Sequence, residues 1–221
     1  MKEENSITIL DKELALKNIE YFENNVNDCI NSFRNTMKYL FDELSNYWAS
    51  PKAVEFYNEY SERYYIIIDE MYKKYYRLCQ NMVDSYNSLA FAMGSDVITK
   101  NYQIENVVKD IDELTQLNLN ANGIEGMSCE IVSETILPSF RTRISYVYDL
   151  ISSISNYVVF SDIKGHSIEE ISIPIVTYKN TIENLIGEFC QNADKSITEQ
   201  IELLNIAKTE AVNKIEKNDY I

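Results

Sequence analysis

The chain has 221 residues, 45% of them apolar, and a formal net charge of −15. That apolar content is enough for a packed core and excludes global disorder. So acidic a balance excludes a nucleic-acid surface, which needs clustered Lys and Arg to neutralise phosphate, and disfavours adsorption to anionic lipid.

Five glycines and three prolines allow few turns, so the composition predicts a small number of long elements and an all-α fold. The chain begins MKEENSITILDKELALKN, without the long apolar segment of a Sec signal peptide, so any export is expected to proceed without one. No apolar run approaches the length of about 18 residues that spans a membrane, and no stable membrane span is expected.

Over residues 10–47 the apolar residues Ile19, Phe22, Val26, Cys29/Ile30, Phe33, Met37, Leu40/Phe41, Leu44 and Trp48 recur in steps of three and four. They share one face of a long helix. Ser50 then suits an N-cap and Pro51 a first helical turn. Residues 51–93 carry a second such stripe, Val54, Tyr57, Tyr64, Ile68, Met71, Tyr75, Leu78/Cys79, Met82 and Leu89, which Gly94 closes as a C-cap glycine would. So short a connection makes the two helices antiparallel neighbours, a helical hairpin over residues 1–94.

Residues 95–125 read as a connector. Ile104, Val107/Val108, Ile111 and Leu114 mark a short amphipathic helix, followed by the loop-like LNLNANGIEGM. The second hairpin, residues 126–221, repeats the plan. Phe140, Ile144, Val147, Ile151, Ile154 and Val158 outline its first helix, which Pro138 starts or kinks. Ile182, Leu185/Ile186, Phe189, Ala193, Ile197, Ile201, Leu204, Ala207, Ala211 and Ile215 outline its second. Ser167-x-x-Glu170 has capping-box spacing, and Pro174 is expected to begin the last helix proper. Helices of this length extend about 55 Å at 1.5 Å per residue. Each hairpin leaves half of its apolar stripe uncovered, so the two are expected to close on each other as an elongated four-helix bundle, a pseudo-dimer within one chain.

The stretch LSNYWASPKAVEFYNEY holds the only tryptophan. Trp48, Ala49, Ser50 and Pro51, set between two long helices near the middle of a unit of about 95 residues, resemble the turn of the Trp-x-Gly family. These are early-secreted-antigen-like helical hairpins of type VII secretion in Gram-positive bacteria. Ser50 stands where that family usually has glycine. The resemblance covers residues 10–94; the second half shares only the plan, with ISIP at 171–174 in the place of WASP at 48–51. It implies a non-enzymatic secreted substrate or targeting partner that works through helix-bundle contacts. The implied partners are another helical-hairpin protein or a larger secreted effector, together with the secretion ATPase. The family's export signal, Tyr-x-x-x-Asp/Glu, follows the second helix; here the spacing occurs inside the second helix, at Tyr65 and Asp69, and in the first, at Tyr39 and Glu43. The alternative is a cytoplasmic helical scaffold or immunity-type binder acting through its acidic surface.

The tyrosines of the second helix fall into two stripes. Tyr57, Tyr64 and Tyr75 follow the apolar face. Tyr65, Tyr72 and Tyr76 line a second face about 100° away, a candidate interface because Tyr is favoured at interfaces, or else a surface packed within the chain's own bundle.

Reactive chemistry is not expected. The one histidine, His166, sits in a loop, KGHS. No Glu-x-x-His pair, zinc-spaced Cys/His set or glycine-rich phosphate loop occurs, so neither catalysis, metal nor cofactor is predicted. The four cysteines are far apart in sequence. Cys29 and Cys79 lie near apolar stripes as small hydrophobes, with a disulfide between distant helices left open.

Overall fold

The computed structural model describes residues 11–103, 113–119, 125–154 and 167–218, with the side chains of the last stretch over 174–216. The chain is an all-α helical bundle, as its composition predicts. Helix α1 runs Lys12–Tyr47 and α2 runs Pro51–Met93, with a two-residue strand β1, Trp48–Ala49, between them. After the connector come β2 (Gly126–Met127), then a continuous helical run: α3 (Cys129–Ile131), a π-helical stretch (Val132–Ile136) and α4 (Leu137–Ser153). The last element is α5 (Ser167–Asn218).

The helix ends have identifiable causes. Asp11 caps α1, its carboxylate accepting from the Leu14 amide at 2.9 Å. Gly94, at φ +66, ends α2. The Ser95 amide donates to the Ala90 carbonyl at 2.8 Å and the Gly94 amide to Phe91 at 3.2 Å. This paired closure needs a left-handed residue, which glycine provides without strain. The π stretch directly precedes Pro138. Leu137 donates five residues back, to Val132, and Pro138 has no N–H to offer the Glu134 carbonyl, so the wider ladder sits where the ordinary one is interrupted.

The spacing of buried residues is longer than the alternation of three and four. In α1, Ala15, Val26, Met37 and Trp48 lie eleven apart, as do Ile19, Ile30 and Phe41. In α2, Ala53, Tyr64, Tyr75 and Tyr86 do the same; in α5, Ile175, Ile186 and Ile197 do. Eleven residues over three turns is close to the natural helical period, so the stripe stays on one face without the left-handed wrap that a seven-residue repeat imposes. This period corrects the start of the α2 stripe. Ala53, Phe56 and Tyr60 are buried, while Val54 and Tyr57 are half-buried. Counting back seven from Tyr64 reaches Tyr57; counting back eleven reaches Ala53, on the buried face.

Two compact units form. One comprises 1–32, 66–111 and 147–185; the other 33–65, 112–146 and 186–221. Each takes residues from α1, α2, the connector, α4 and α5. In the first unit Phe22 of α1 meets Tyr75 of α2 at 6.1 Å and Tyr178 of α5 at 6.2 Å. The Lys179 ammonium donates to the Ser152 and Ile154 carbonyls at the end of α4, at 3.0 and 2.8 Å. In the second unit Phe33 of α1 meets Tyr64 of α2 at 5.9 Å and Phe189 of α5 at 6.0 Å. Arg141 of α4 holds Asp194 of α5 with two bonds, at 2.6 and 2.7 Å. Within the second unit Phe41 and then Phe33, going down α1, meet Phe56 and then Tyr64, going up α2, so the two helices pair antiparallel there.

Four sequence expectations meet a different outcome or fall outside the described residues. Helix α5 begins at Ser167, so Pro174 lies inside it, and ISIP at 171–174 is helical rather than a turn like WASP. The short connector helix falls largely on residues 104–112, outside the described residues; Leu114, the last of its stripe, is buried but not helical. Val158 and His166 lie outside them too. The α5 stripe stops being buried at Ile201: from Glu202 to Glu216 the described side chains are exposed, apart from half-buried Leu204.

All four cysteines are free thiols. No helix among the described residues is long and apolar enough to cross a membrane, and among them no cluster of His, Cys, Asp or Glu is arranged to hold a metal.

Candidate functional site

The turn at Trp48 is built by residues from three parts of the chain. Trp48 and Ala49 leave α1 in extended form and pair antiparallel with β2, Trp48 opposite Met127 and Ala49 opposite Gly126. The Ser128 amide donates to the Tyr47 carbonyl at 2.9 Å, and the Ser50 amide to the Asn118 carbonyl at 3.1 Å. The last carbonyl of α1 and the backbone groups of the turn are thus satisfied by the second half of the chain, as buried backbone requires.

Ser50 does three things at once. Its carbonyl accepts the Val54 amide at 3.2 Å. Its hydroxyl oxygen accepts the Ala53 amide at 3.1 Å, the N-cap bond of α2. The same oxygen accepts the Trp48 indole N–H at 3.0 Å. A glycine here permits the reversal but makes neither side-chain bond. Serine therefore replaces conformational freedom with a specific clasp between the tryptophan and the next helix.

The indole is 3% exposed. Its ring lies 5.3 Å from Phe56, which stacks on Tyr60 at 4.4 Å; Tyr60 meets Phe189 of α5 at 5.5 Å. Trp48 is the outer end of an aromatic row that runs into the core of this unit. Pro51 is exposed and opens α2.

Tyr65 and Asp69, the export-type pair, lie one turn apart in α2 and are both half-buried. Asp69 is paired with Lys73 at 2.6 Å. Burial raises the Tyr65 hydroxyl above its ordinary range, partly offset by a hydrogen bond with the Leu114 backbone. Tyr57 donates to the Leu114 carbonyl at 3.4 Å. Of the second tyrosine face, Tyr72 and Tyr76 are half-buried and 6.3 Å apart. Tyr76 lies 5.8 Å from Tyr102 of the connector. Connector residues therefore lie against two of the three candidate interface tyrosines, Tyr65 and Tyr76.

That packing was not legible in the sequence. Ile98, 3% exposed, and Tyr102, 8%, are the buried residues of a non-helical segment held on α2. The signal available was weak: two isolated apolar residues, and the polar Gln80 and Asn87 seven apart beside the apolar stripe.

Three of the four thiols, Cys29, Cys79 and Cys190, are buried. Burial pushes Cys29 up to about 12 and raises Cys79 and Cys190 well above the ordinary thiol range, which leaves them protonated and poorly nucleophilic. Compared with models of known protein families, with curated proteins and with solved structures, the chain has no match.

Proposed function

We propose that this chain is a non-enzymatic substrate or targeting partner of a type VII secretion system, acting through helix-bundle contacts with another helical-hairpin protein or a larger secreted effector. The observation that carries the reading is the reversal at Trp48, Ala49, Ser50 and Pro51 between two long antiparallel helices. A turn so short, with its tryptophan buried and its small residue capping the next helix, is the feature that the Trp-x-Gly resemblance rests on. The test is export. The tagged chain is expressed in a Gram-positive host with an intact or a deleted secretion ATPase, with a cytoplasmic marker followed for lysis. Appearance in the medium only with the ATPase supports the reading. Retention in both strains, with no secreted protein co-purifying, rejects it.

A second reading is favoured by the state of the export-type pair. Asp69 is engaged by Lys73 and Tyr65 is half-buried against the connector, so neither is presented as a free signal. On this reading the chain is a cytoplasmic scaffold or immunity-type binder whose charge of −15 suits a basic partner. Co-purification with a basic toxin domain, lost above about 0.5 M salt where surface attraction is screened, supports it over export.

A further inference from the structure

The buried face of α5 runs on past the residues that cover it. Cys190, Ile201 and Val212 lie eleven apart, and so do Ala193, Leu204 and Ile215. Eleven residues are close to three whole turns, so each row keeps to one side of the helix. Cys190, Ala193 and Ile201 are buried and Leu204 is half-buried, but Val212 is 46% and Ile215 65% exposed. At Phe189 this face meets Phe33 of α1 and Tyr60 of α2. From Asn205 to Glu216 the chain is still helical and its side chains are exposed. Leu204 and Ile215 flank Ala207 and Ala211 there, so the face is large at both ends and small in the middle.

We propose that this face, from Ile201 to Ile215, docks a second copy of the chain, with the two α5 helices antiparallel about a two-fold axis. The face is its own complement in that arrangement, as a two-fold interface requires. Turned end for end, Leu204 meets Ile215 of the second copy at both ends. The alanines let the backbones approach at the centre, and Lys208 lies beside Glu210 of the second copy. A parallel pairing sets Lys208 against Lys208 and Glu210 against Glu210. Charge also selects a copy of this chain over a basic partner. Residues 202–216 hold three glutamates and two lysines in a chain of net charge −15. A basic partner gains little on so nearly neutral a strip, and two copies that repel elsewhere can meet on it. Fifteen helical residues make a strip about 22 Å long and about 10 Å wide, which buries less than the roughly 1,000 Å² of a stable complex. The dimer is therefore weak: it forms at about 100 µM, and at about 1 µM the chain is a monomer. The proposal does not rest on the secretion reading, since it needs only the exposed face of α5.

The test is sedimentation equilibrium of the full chain from about 10 µM to about 1 mM, a range that brackets the expected association by mass action. A monomer–dimer equilibrium is expected. Raising the salt from about 0.1 M to about 0.5 M should tighten it by screening the repulsion between two chains of charge −15, the reverse of its effect on attachment to a basic partner. Ile215→Glu, at an exposed position that leaves the core intact, is expected to weaken the dimer about tenfold. Lys208→Glu should weaken it about fivefold, for two exposed ion pairs, and adding Glu210→Lys to that variant should restore it. A chain that stays monomeric to the top of the range overturns the proposal and leaves the face to a foreign helix. A dimer that Ile215→Glu leaves intact, that loosens with salt, or that the charge exchange fails to restore overturns it too.

Discussion

Replacing Ser50 tests whether its hydroxyl joins Trp48 to α2 or merely occupies a turn. Ser50→Gly keeps the small residue and, at an N-cap, costs only a few tenths of a kcal/mol by loss of the cap itself. It also strips the acceptor from the Trp48 indole N–H, which lies in a side chain 3% exposed. A buried donor left unpaired costs about 1–3 kcal/mol. Ser50→Gly is therefore expected to destabilise by about 1–3 kcal/mol, mostly through the indole. Ser50→Ala should cost about 0.5–1 kcal/mol more, because alanine is the poorer cap. The protein carries its own probe, since Trp48 is the only tryptophan. Urea unfolding read by fluorescence and by far-UV circular dichroism gives both numbers and shows whether the region of Trp48 unfolds with the rest. The decisive step is a double-mutant cycle with Trp48→Phe, read by circular dichroism alone. Without an indole donor, Ser50→Ala should fall to the cap term of about 1 kcal/mol. If Ser50→Gly leaves the midpoint unchanged, or if the cycle shows no coupling, the clasp contributes nothing and Ser50 is only a small residue at a bend.

Phe189 is 2% exposed and joins α5 to Phe33 and Tyr60. Phe189→Ala is expected to cost about 3–5 kcal/mol in urea unfolding, and a loss under about 1 kcal/mol would refute its place in the core. A disulfide-exchange reagent should titrate Cys129 in the native chain and reach the buried Cys29, Cys79 and Cys190 only on unfolding. Those three thiols are raised above their unfolded value near 9, Cys29 to about 12. Between those limits the folded state binds more protons than the unfolded one, so stability should be level up to about pH 9 and fall as the pH rises beyond it; a flat profile to pH 11 would refute the burial. Ending the chain after Asn205 removes Ile206, Val212 and Ile215, which are 57%, 46% and 65% exposed. The unfolding midpoint should stay within about 0.5 kcal/mol of the full chain, as for ordinary surface changes; a large drop would mean that this end of α5 is covered.

The long helices were legible because their signal is periodic and repeated. About nine turns of stripe from Ala15 to Trp48 leave little room for another element, and Ser50-Pro51 and Gly94 mark the ends with residue types suited to those conformations. What escaped was the small difference between seven and eleven. A step of seven and a step of eleven agree over the middle of α2 and diverge at its start, so a stripe in steps of seven puts Tyr57 in the core and passes over Phe56 and Tyr60. Pro174 was misplaced for a similar reason. A proline is a strong local punctuator, but Ser167 and Glu170 lie before it, and helix forms from there. The segment at Ile98–Tyr102 was illegible for a different reason. Its contacts are between backbone and the side chains of Asn87 and Gln80, and a backbone has no sequence signature.

The turn itself ends up with a meaning that the sequence motif alone does not carry. In an isolated hairpin the end of α1, the reversal and the start of α2 expose backbone groups that water or a partner must satisfy. Here Tyr47, Trp48, Ala49 and Ser50 are taken up by Ser128, β2 and Asn118, and the indole is taken up by Ser50 and Phe56. The backbone of the reversal and the indole are thereby engaged within one compact unit. The buried Trp48 fixes the start of α2 through Ser50 and Phe56. It follows that Trp48→Ala should lower stability by about 3–5 kcal/mol, the range for emptying a buried aromatic site. Affinity for a bound partner, measured under conditions where the variant is still folded, should change by less than about threefold. A variant that stays stable but loses its partner would make the indole a docking residue and refute this assignment.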